Sequence, residues 1–226
     1  MATTTAAVID TPTTQVDQWR GFLSRADADA VFVVCEPLPW HEEVVRIAGK
    51  SIVAPRETCA AASEPRFAHY RYAGTSNTAA VVPFPPWLDS LERRVRECIN
   101  ARRAARGKPR LAHAFNYCFF NRYRGRGGIG KHTDSERDLE PGVPIASVSV
   151  GATRDFDFHP AQGGGRRVAR APLAHGDLVV MDGDCQREYK HSVPALSAAR
   201  WPPTTPSGLP PVRYNLTFRR MKSSAH

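Results

Sequence analysis

A chain of 226 residues has room for one domain with a full core but not for two large ones. Its 42% hydrophobic and 23% charged residues suit a soluble globular protein, and 31 Lys+Arg against 22 Asp+Glu give +9, a balance that favours nucleic acid among partners. Five scattered cysteines without a CxxC pair argue against a disulfide framework or a structural zinc site, and no apolar run reaches the length of a membrane span.

Residues 1–24 carry no basic residue before Arg20 and fit neither a secretory signal nor an Arg-rich transit peptide. They are read as a flexible tail ahead of a single domain over 25–226. Arg25 to Leu38 is ambiguous: Val31-Phe32-Val33-Val34 suits a strand, whereas Ala26, Ala28 and Ala30 suit a helix. Trp40 to Ile47 leads to a turn at Gly49. Pro86 to Ala105 is the clearest helix, with Pro86 at its start and Leu88, Leu91, Val95, Cys98 and Ile99 on one face.

From Ala114 the texture changes to short apolar runs divided by Gly and Pro. Strands are predicted at Phe115–Tyr123, Ile129–Asp134, Ile145–Val150, Asp155–Phe158, Val168–Leu173, Leu178–Met181, Lys190–Val193 and Val212–Arg219. Strands after a helical first half predict an α+β protein with a sandwich or jelly-roll core at about 112–221. Leu196 to Pro211, rich in Pro, Ser and Thr, reads as an exposed loop.

His132 and Asp134, two apart on a predicted strand, leave it on the same face, as two ligands of one ion must. With His191 they make two histidines and a carboxylate, a set that holds one face of Fe(II) and leaves open positions for a co-substrate and O2. A second HxD, His175-Gly176-Asp177, is followed at once by the apolar strand Leu178 to Met181 and reads as a turn. The last strand puts Tyr214, Leu216 and Phe218 on one face and Arg213, Asn215, Thr217 and Arg219 on the other. That polar face is either solvated or the wall of a carboxylate pocket. Asn121 and Tyr123 form a second polar pair at strand spacing.

Asn121-x-Tyr123, Ile129 to Glu136, Pro144 to Gly151, Arg154-Asp155-Phe156, His175-Gly176-Asp177-Leu178, Lys190 to Pro194 and Arg213-x-Asn215-x-Thr217-Phe218-Arg219 together resemble the AlkB family, in order and spacing. Gly49-Lys50, Pro55-Arg56, Tyr70-x-Tyr72-x-Gly74 and Pro86-Trp87 resemble its eukaryotic branch that repairs alkylated bases in duplex DNA. The resemblance covers about residues 40 to 221. It implies a double-stranded β-helix with N-terminal helices and a nucleotide-recognition lid at about 40–75. Catalysis would rest on iron held by His132, Asp134 and His191, with Arg219 beside it. Arg213, Tyr123, Thr217, Asn215, Asn121 and Arg219 would bind 2-oxoglutarate. Ala48, Gly49, Lys50, Arg56, Tyr70, Tyr72, Ser135 and Glu136 would bind substrate.

The implied reaction is oxidative demethylation of 1-methyladenine or 3-methylcytosine in DNA, coupled to decarboxylation of 2-oxoglutarate and releasing formaldehyde, succinate and CO2. The implied protein is a monomer, nuclear if eukaryotic and otherwise cytoplasmic, and not secreted. The chain departs from duplex-repairing relatives at Ala48, where they carry an aromatic wedge, and after His191, where Ala195-Leu196-Ser197-Ala198-Ala199 replaces a basic run. Single-stranded DNA and RNA therefore stay open as substrates, and a non-catalytic nucleic-acid binder is the contrasting class. Arg102, Arg103, Arg106, Lys108 and Arg110 are read either as phosphate contacts or a nuclear address, or as a solvated helix end.

Overall fold

The computed structural model describes residues 3–47, 49–69, 80–197 and 208–223. The chain opens with an antiparallel hairpin, β1 (Thr4–Asp10) and β2 (Thr14–Arg20), where the sequence suggested a flexible tail. The polar run Thr14-Gln15-Val16-Asp17-Gln18-Trp19 is buried because its partners lie far along the chain. Asp17 takes bidentate bonds from Arg102 and Arg106, and Gln18 Nε2 donates to the carbonyl of Pro172 and to Asp177. Val16 and Trp19 point to opposite faces of the sheet, into separate apolar clusters.

The ambiguous segment is helix α1 (Arg25–Cys35), started by the Ser24 side chain, which accepts from the Asp27 amide. Ala28, Phe32 and Cys35 fall on its buried face. β3 (His41–Ile47) and β4 (Lys50–Ala62) form an antiparallel hairpin, followed by a 3-10 turn (Pro65–His69) and β5 (Val81–Pro83). Helix α2 (Pro86–Ala105) has the predicted bounds and buries Leu88, Leu91, Val95 and Ile99. Fully burying an aliphatic side chain contributes about 1.5–3 kcal/mol, so this one face anchors the helix. No helix among the described residues is long and apolar enough to cross a membrane.

The eight predicted strands all form: β6 (Tyr117–Tyr123), β7 (Ile129–His132), β8 (Ile145–Gly151), β9 (Arg154–Pro160), β10 (Ala169–Leu173), β11 (Asp177–Gly183), β12 (Tyr189–Val193) and β13 (Arg213–Arg219). A single helical turn, α3 (Cys185–Glu188), joins β11 to β12. The larger sheet runs β1-β2-β11-β8-β13-β6-β4-β3 with β5 beside β4, and the smaller runs β10-β9-β12-β7. One apolar cluster lies between the helices and the larger sheet, around Leu88, Val95, Phe120, Val148, Leu216 and Phe218. A second lies between the sheets, around Val16, Phe158, Leu173, Val179 and Val193. The architecture is a jelly roll with helices packed on one face.

Arg102, Arg103 and Arg106 do not end α2 in solvent. Arg102 and Arg106 pair with Asp17, and Arg103 pairs with Asp182 at 2.8 Å, so the basic end of the helix is tied to β2 and β11. His175-Gly176-Asp177 is the turn that the sequence suggested, with Gly176 at φ +86°. Its His175 Nδ1 accepts from the Gly151 amide, and Asp177 accepts from the Gly21 amide.

Candidate metal centre

β7 and β12 pair in the smaller sheet with His132 directly opposite His191. The His132 Nδ1 lies 2.9 Å from the carbonyl of Gly130. A carbonyl only accepts, so Nδ1 carries the proton and Nε2 keeps its lone pair for a metal. The predicted strand through Asp134 ends two residues sooner, at His132. Asp134 sits in the loop beyond, yet its carboxylate turns back: Oδ1 is 3.8 Å from His132 Nε2 and 3.9 Å from His191 Nε2. The three ligand atoms lie within 4.8 Å of one another, the one such group among the described residues.

The charge states suit a cation. Burial lowers the His191 imidazole to about 3, so it is neutral. Burial alone would raise the Asp134 carboxyl, but the Arg219 guanidinium beside it outweighs burial and holds it below its ordinary range. A neutral imidazole and an ionised carboxylate are the forms that bind a metal ion. Phe156 stacks on the His191 ring at 5.1 Å and shields that side from water.

The polar face of β13 is not solvated: Arg213, Asn215, Thr217 and Arg219 are all buried and turned away from the helices. Asn121, Tyr123, Asn215, Thr217 and Arg219 line a cleft of about 690 Å³ that also contains His132, Asp134 and His191. Asn215 Nδ2 donates to Ser147 Oγ, and Asn121 Nδ2 and Thr217 Oγ1 donate to Asn215 Oδ1. Arg219 bridges two carboxylates, Asp134 at 2.9 Å and Glu136 at 3.2 Å.

Arg213 lies deeper, with 1% of its surface exposed. Its Nη2 donates to Ser149 Oγ and its guanidinium packs on the Tyr123 ring, 5.3 Å from the centroid. Nε and Nη1 are buried with no hydrogen-bond partner among the described residues, and no acidic side chain there pairs with the group. Burial lowers Arg213 to about 10. A buried cation without a counter-ion is costly, and an anionic ligand relieves that cost.

The β3–β4 hairpin forms the facing wall. Ile52, Ala54, Pro55 and Arg56 of β4 and Glu43 of β3 line the cleft. The β3–β4 register breaks between Glu42 and Val44, and this bulge aims Arg56 inward onto Glu43, 2.7 Å away. Gly127 passes so close to β4 that a Cβ would meet Pro55 at 2.3 Å, and Gly128 lies so close to the end of β12 that a Cβ would meet the Val193 carbonyl at 2.0 Å. Gly49 takes φ +79° in the hairpin turn and Lys50 is exposed beside it. Ser135 and Glu136 line the cleft, and Glu136 Oε2 is buried with no partner among the described residues. Ala48, Tyr70 and Tyr72 lie outside the described residues.

Several site residues were given no role from sequence, although Ser147, Ser149 and Arg154 lie in the motifs of the resemblance. Ser147 and Ser149 of β8 hold Asn215 and Arg213. Arg154 donates to the carbonyls of Gly127 and Pro194, clamping the loops before β7 and after β12. Gln186 of α3 accepts from the Asp134 amide, a contact that no spacing rule suggests.

Residues 16–219 match the family model of the 2OG-Fe(II) oxygenase superfamily. The chain is 39% identical over 143 residues to human DNA oxidative demethylase ALKBH2, covering 60% of this chain and 48% of that protein. It is 31% identical over 205 residues to Arabidopsis thaliana ALKBH2, covering 80% and 58%. It is 29% identical over 222 residues to mouse alpha-ketoglutarate-dependent dioxygenase alkB homolog 3, covering 92% and 67%. The chain thus spans about half the length of the mammalian ALKBH2 proteins it matches. The solved structure of OsALKBH1 superposes with a TM-score of 0.64 over 95% of this chain and all of that one, and at 21% identity this likeness is one of fold.

Proposed function

Since the chain belongs to the AlkB family of the 2OG-Fe(II) oxygenase superfamily, we propose that it is an Fe(II)- and 2-oxoglutarate-dependent dioxygenase that removes N-methyl groups from alkylated DNA bases. The observation that carries this reading is the His132, Asp134 and His191 cluster opening onto a cleft backed by the uncompensated Arg213. A site built only to hold nucleic acid needs neither. The similarity to proteins named as DNA oxidative demethylases supports the choice of DNA, and the positive charge agrees with a polyanion.

In this reading His132, Asp134 and His191 hold iron, and Arg213 with Tyr123 and Thr217 receives the distal carboxylate of 2-oxoglutarate. Asn121, Asn215 and Arg219, which line the same cleft, would contact the rest of the co-substrate. Iron with 2-oxoglutarate and O2 would supply the oxidising power for hydroxylating an N-methyl carbon, the methyl being lost as formaldehyde. Arg219 keeps Asp134 ionised and steadies Glu136. The unpartnered Oε2 of Glu136 is an acceptor for the exocyclic amine that adenine and cytosine share. Phe156 keeps water from the His191 side.

A base in duplex must leave the stack to enter this cleft, at a cost of a few kcal/mol, and a methyl that blocks pairing reduces the cost. We assign the lid residues Gly49, Lys50 and Arg56, with Ala48, Tyr70 and Tyr72, to enclosing the extracted base, and Ser135 to its edge.

The test is formaldehyde release and base restoration on oligonucleotides carrying 1-methyladenine or 3-methylcytosine, single- and double-stranded, with Fe(II), 2-oxoglutarate and ascorbate. Restoration dependent on both iron and 2-oxoglutarate is expected. No product on either strand form, from protein that binds iron, would overturn DNA as the substrate.

A further inference from the structure

The loop carrying Asp134 leaves the smaller sheet after His132, so its amide is beyond the strand pairing of β7. Oε1 of Gln186 takes that N–H at 2.8 Å. An amide donor requires an acceptor, which fixes the orientation of the carboxamide: Oε1 faces Asp134, and Nε2 lies 3.4 Å from the Met181 sulfur. Gln186 thereby joins the third ligand to α3, the turn that leads directly into the strand bearing His191.

α3 is in turn held from outside. The Asp184 amide donates to the Thr13 carbonyl, and the Thr13 and Thr14 hydroxyls donate to Glu188 at 2.8 and 2.6 Å. Gly183 sits so close to Thr13 that a Cβ would meet its carbonyl oxygen at 2.1 Å. The amino-terminal hairpin therefore presses on the turn that positions Gln186.

The need for such a tether lies in a competition at one atom. Asp134 Oδ1 is the oxygen turned toward both histidines, and Arg219 approaches the same oxygen at 2.9 Å. A loop free at its backbone can follow the carboxylate toward the guanidinium and away from the metal position. Resting on the iron reading above, we propose that Gln186 is a positioning residue that pins the Asp134 backbone and so sets the affinity of the site for a divalent cation.

The experiment uses the full chain stripped of metal and titrated with Mn(II), without co-substrate, with free Mn(II) followed by electron paramagnetic resonance. Gln186→Met keeps the length and removes the acceptor; Gln186→Glu keeps an acceptor. Gln186→Met is expected to weaken Mn(II) binding about 10- to 100-fold, the range for losing a group that orients a ligand. Its Tm should stay close to wild type, and Gln186→Glu should restore most of the affinity. Hydrogen exchange at the Asp134 amide, slow in the wild type, should be fast in Gln186→Met. Equal Mn(II) affinity in wild type and Gln186→Met overturns this inference alone, as does a fast-exchanging Asp134 amide in the wild type should Gln186→Met fail to fold. A wild type that binds no Mn(II) overturns the iron reading and this inference with it.

Discussion

His132 and His191 stand opposite each other in the antiparallel β7–β12 pair, with ring centroids 4.2 Å apart. Residues in direct register are the nearest neighbours that two strands offer. Strand pairing therefore assembles two of the three ligands before any ion arrives, and only Asp134 depends on a loop. A slip of one residue in β12 would turn His191 to the other face and dismantle the site.

Asp134→Ala is expected to reduce demethylation to background and to abolish tight Mn(II) binding, while oligonucleotide affinity stays within about twofold. Formaldehyde release, metal titration and fluorescence anisotropy measure the three. Unchanged turnover would remove Asp134 from the metal site.

Arg213→Met separates co-substrate binding from stability. Replacing a buried unpaired cation with an apolar side chain of similar length is neutral or stabilising. The apo variant should thus melt no lower than wild type. Loss of a buried charge-assisted contact to the co-substrate is worth about 2–5 kcal/mol, so the KM for 2-oxoglutarate should rise at least 10-fold. A variant with ordinary 2-oxoglutarate dependence would mean that Arg213 serves the fold alone.

His175 makes stability depend on pH. Burial lowers its pKa, although Asp29 pulls the other way, and its Nδ1 is occupied as an acceptor of the Gly151 amide. In the window from just below 6.5 downward to the folded value, the unfolded chain binds a proton that the folded one does not. Stability therefore rises with pH through that window and falls on acidification. His175→Gln retains an acceptor and cannot titrate. Its Tm should fall less than that of wild type between pH 7.5 and 5.5, and parallel curves would refute the assignment.

The arginines at the end of α2 should matter for folding rather than for binding nucleic acid. Arg102→Ala removes one of two partners of the buried Asp17 and should cost about 1–3 kcal/mol by urea denaturation. Oligonucleotide affinity and its salt dependence should not change. A shallower salt slope would instead show a phosphate contact.

Helix α2 and the eight core strands were legible because each bears its pattern locally: a 3.6-residue apolar stripe, or alternation between Gly and Pro breaks. The Asn215, Thr217, Arg213 and Arg219 face was legible as a face, but alternation alone cannot distinguish solvent from a pocket wall. The smaller sheet and β4, which face it across the cleft, decided that. The second HxD could be discounted because an apolar strand follows it immediately.

Chain order and residue chemistry by themselves determined the ligand types, the eight core strands and the family resemblance, since these depend on side-chain identity and short-range spacing. Tertiary structure alone decided the rest. It turned residues 4–20 from tail into a hairpin whose second strand is buried, because Arg102, Arg106 and Asp177 satisfy polar groups that look solvent-facing in isolation. It likewise set Gln186 beneath Asp134, and left Arg213 buried without an acid. Whether a polar or charged side chain is paired depends on distant segments that the fold brings together, and no local pattern records that meeting.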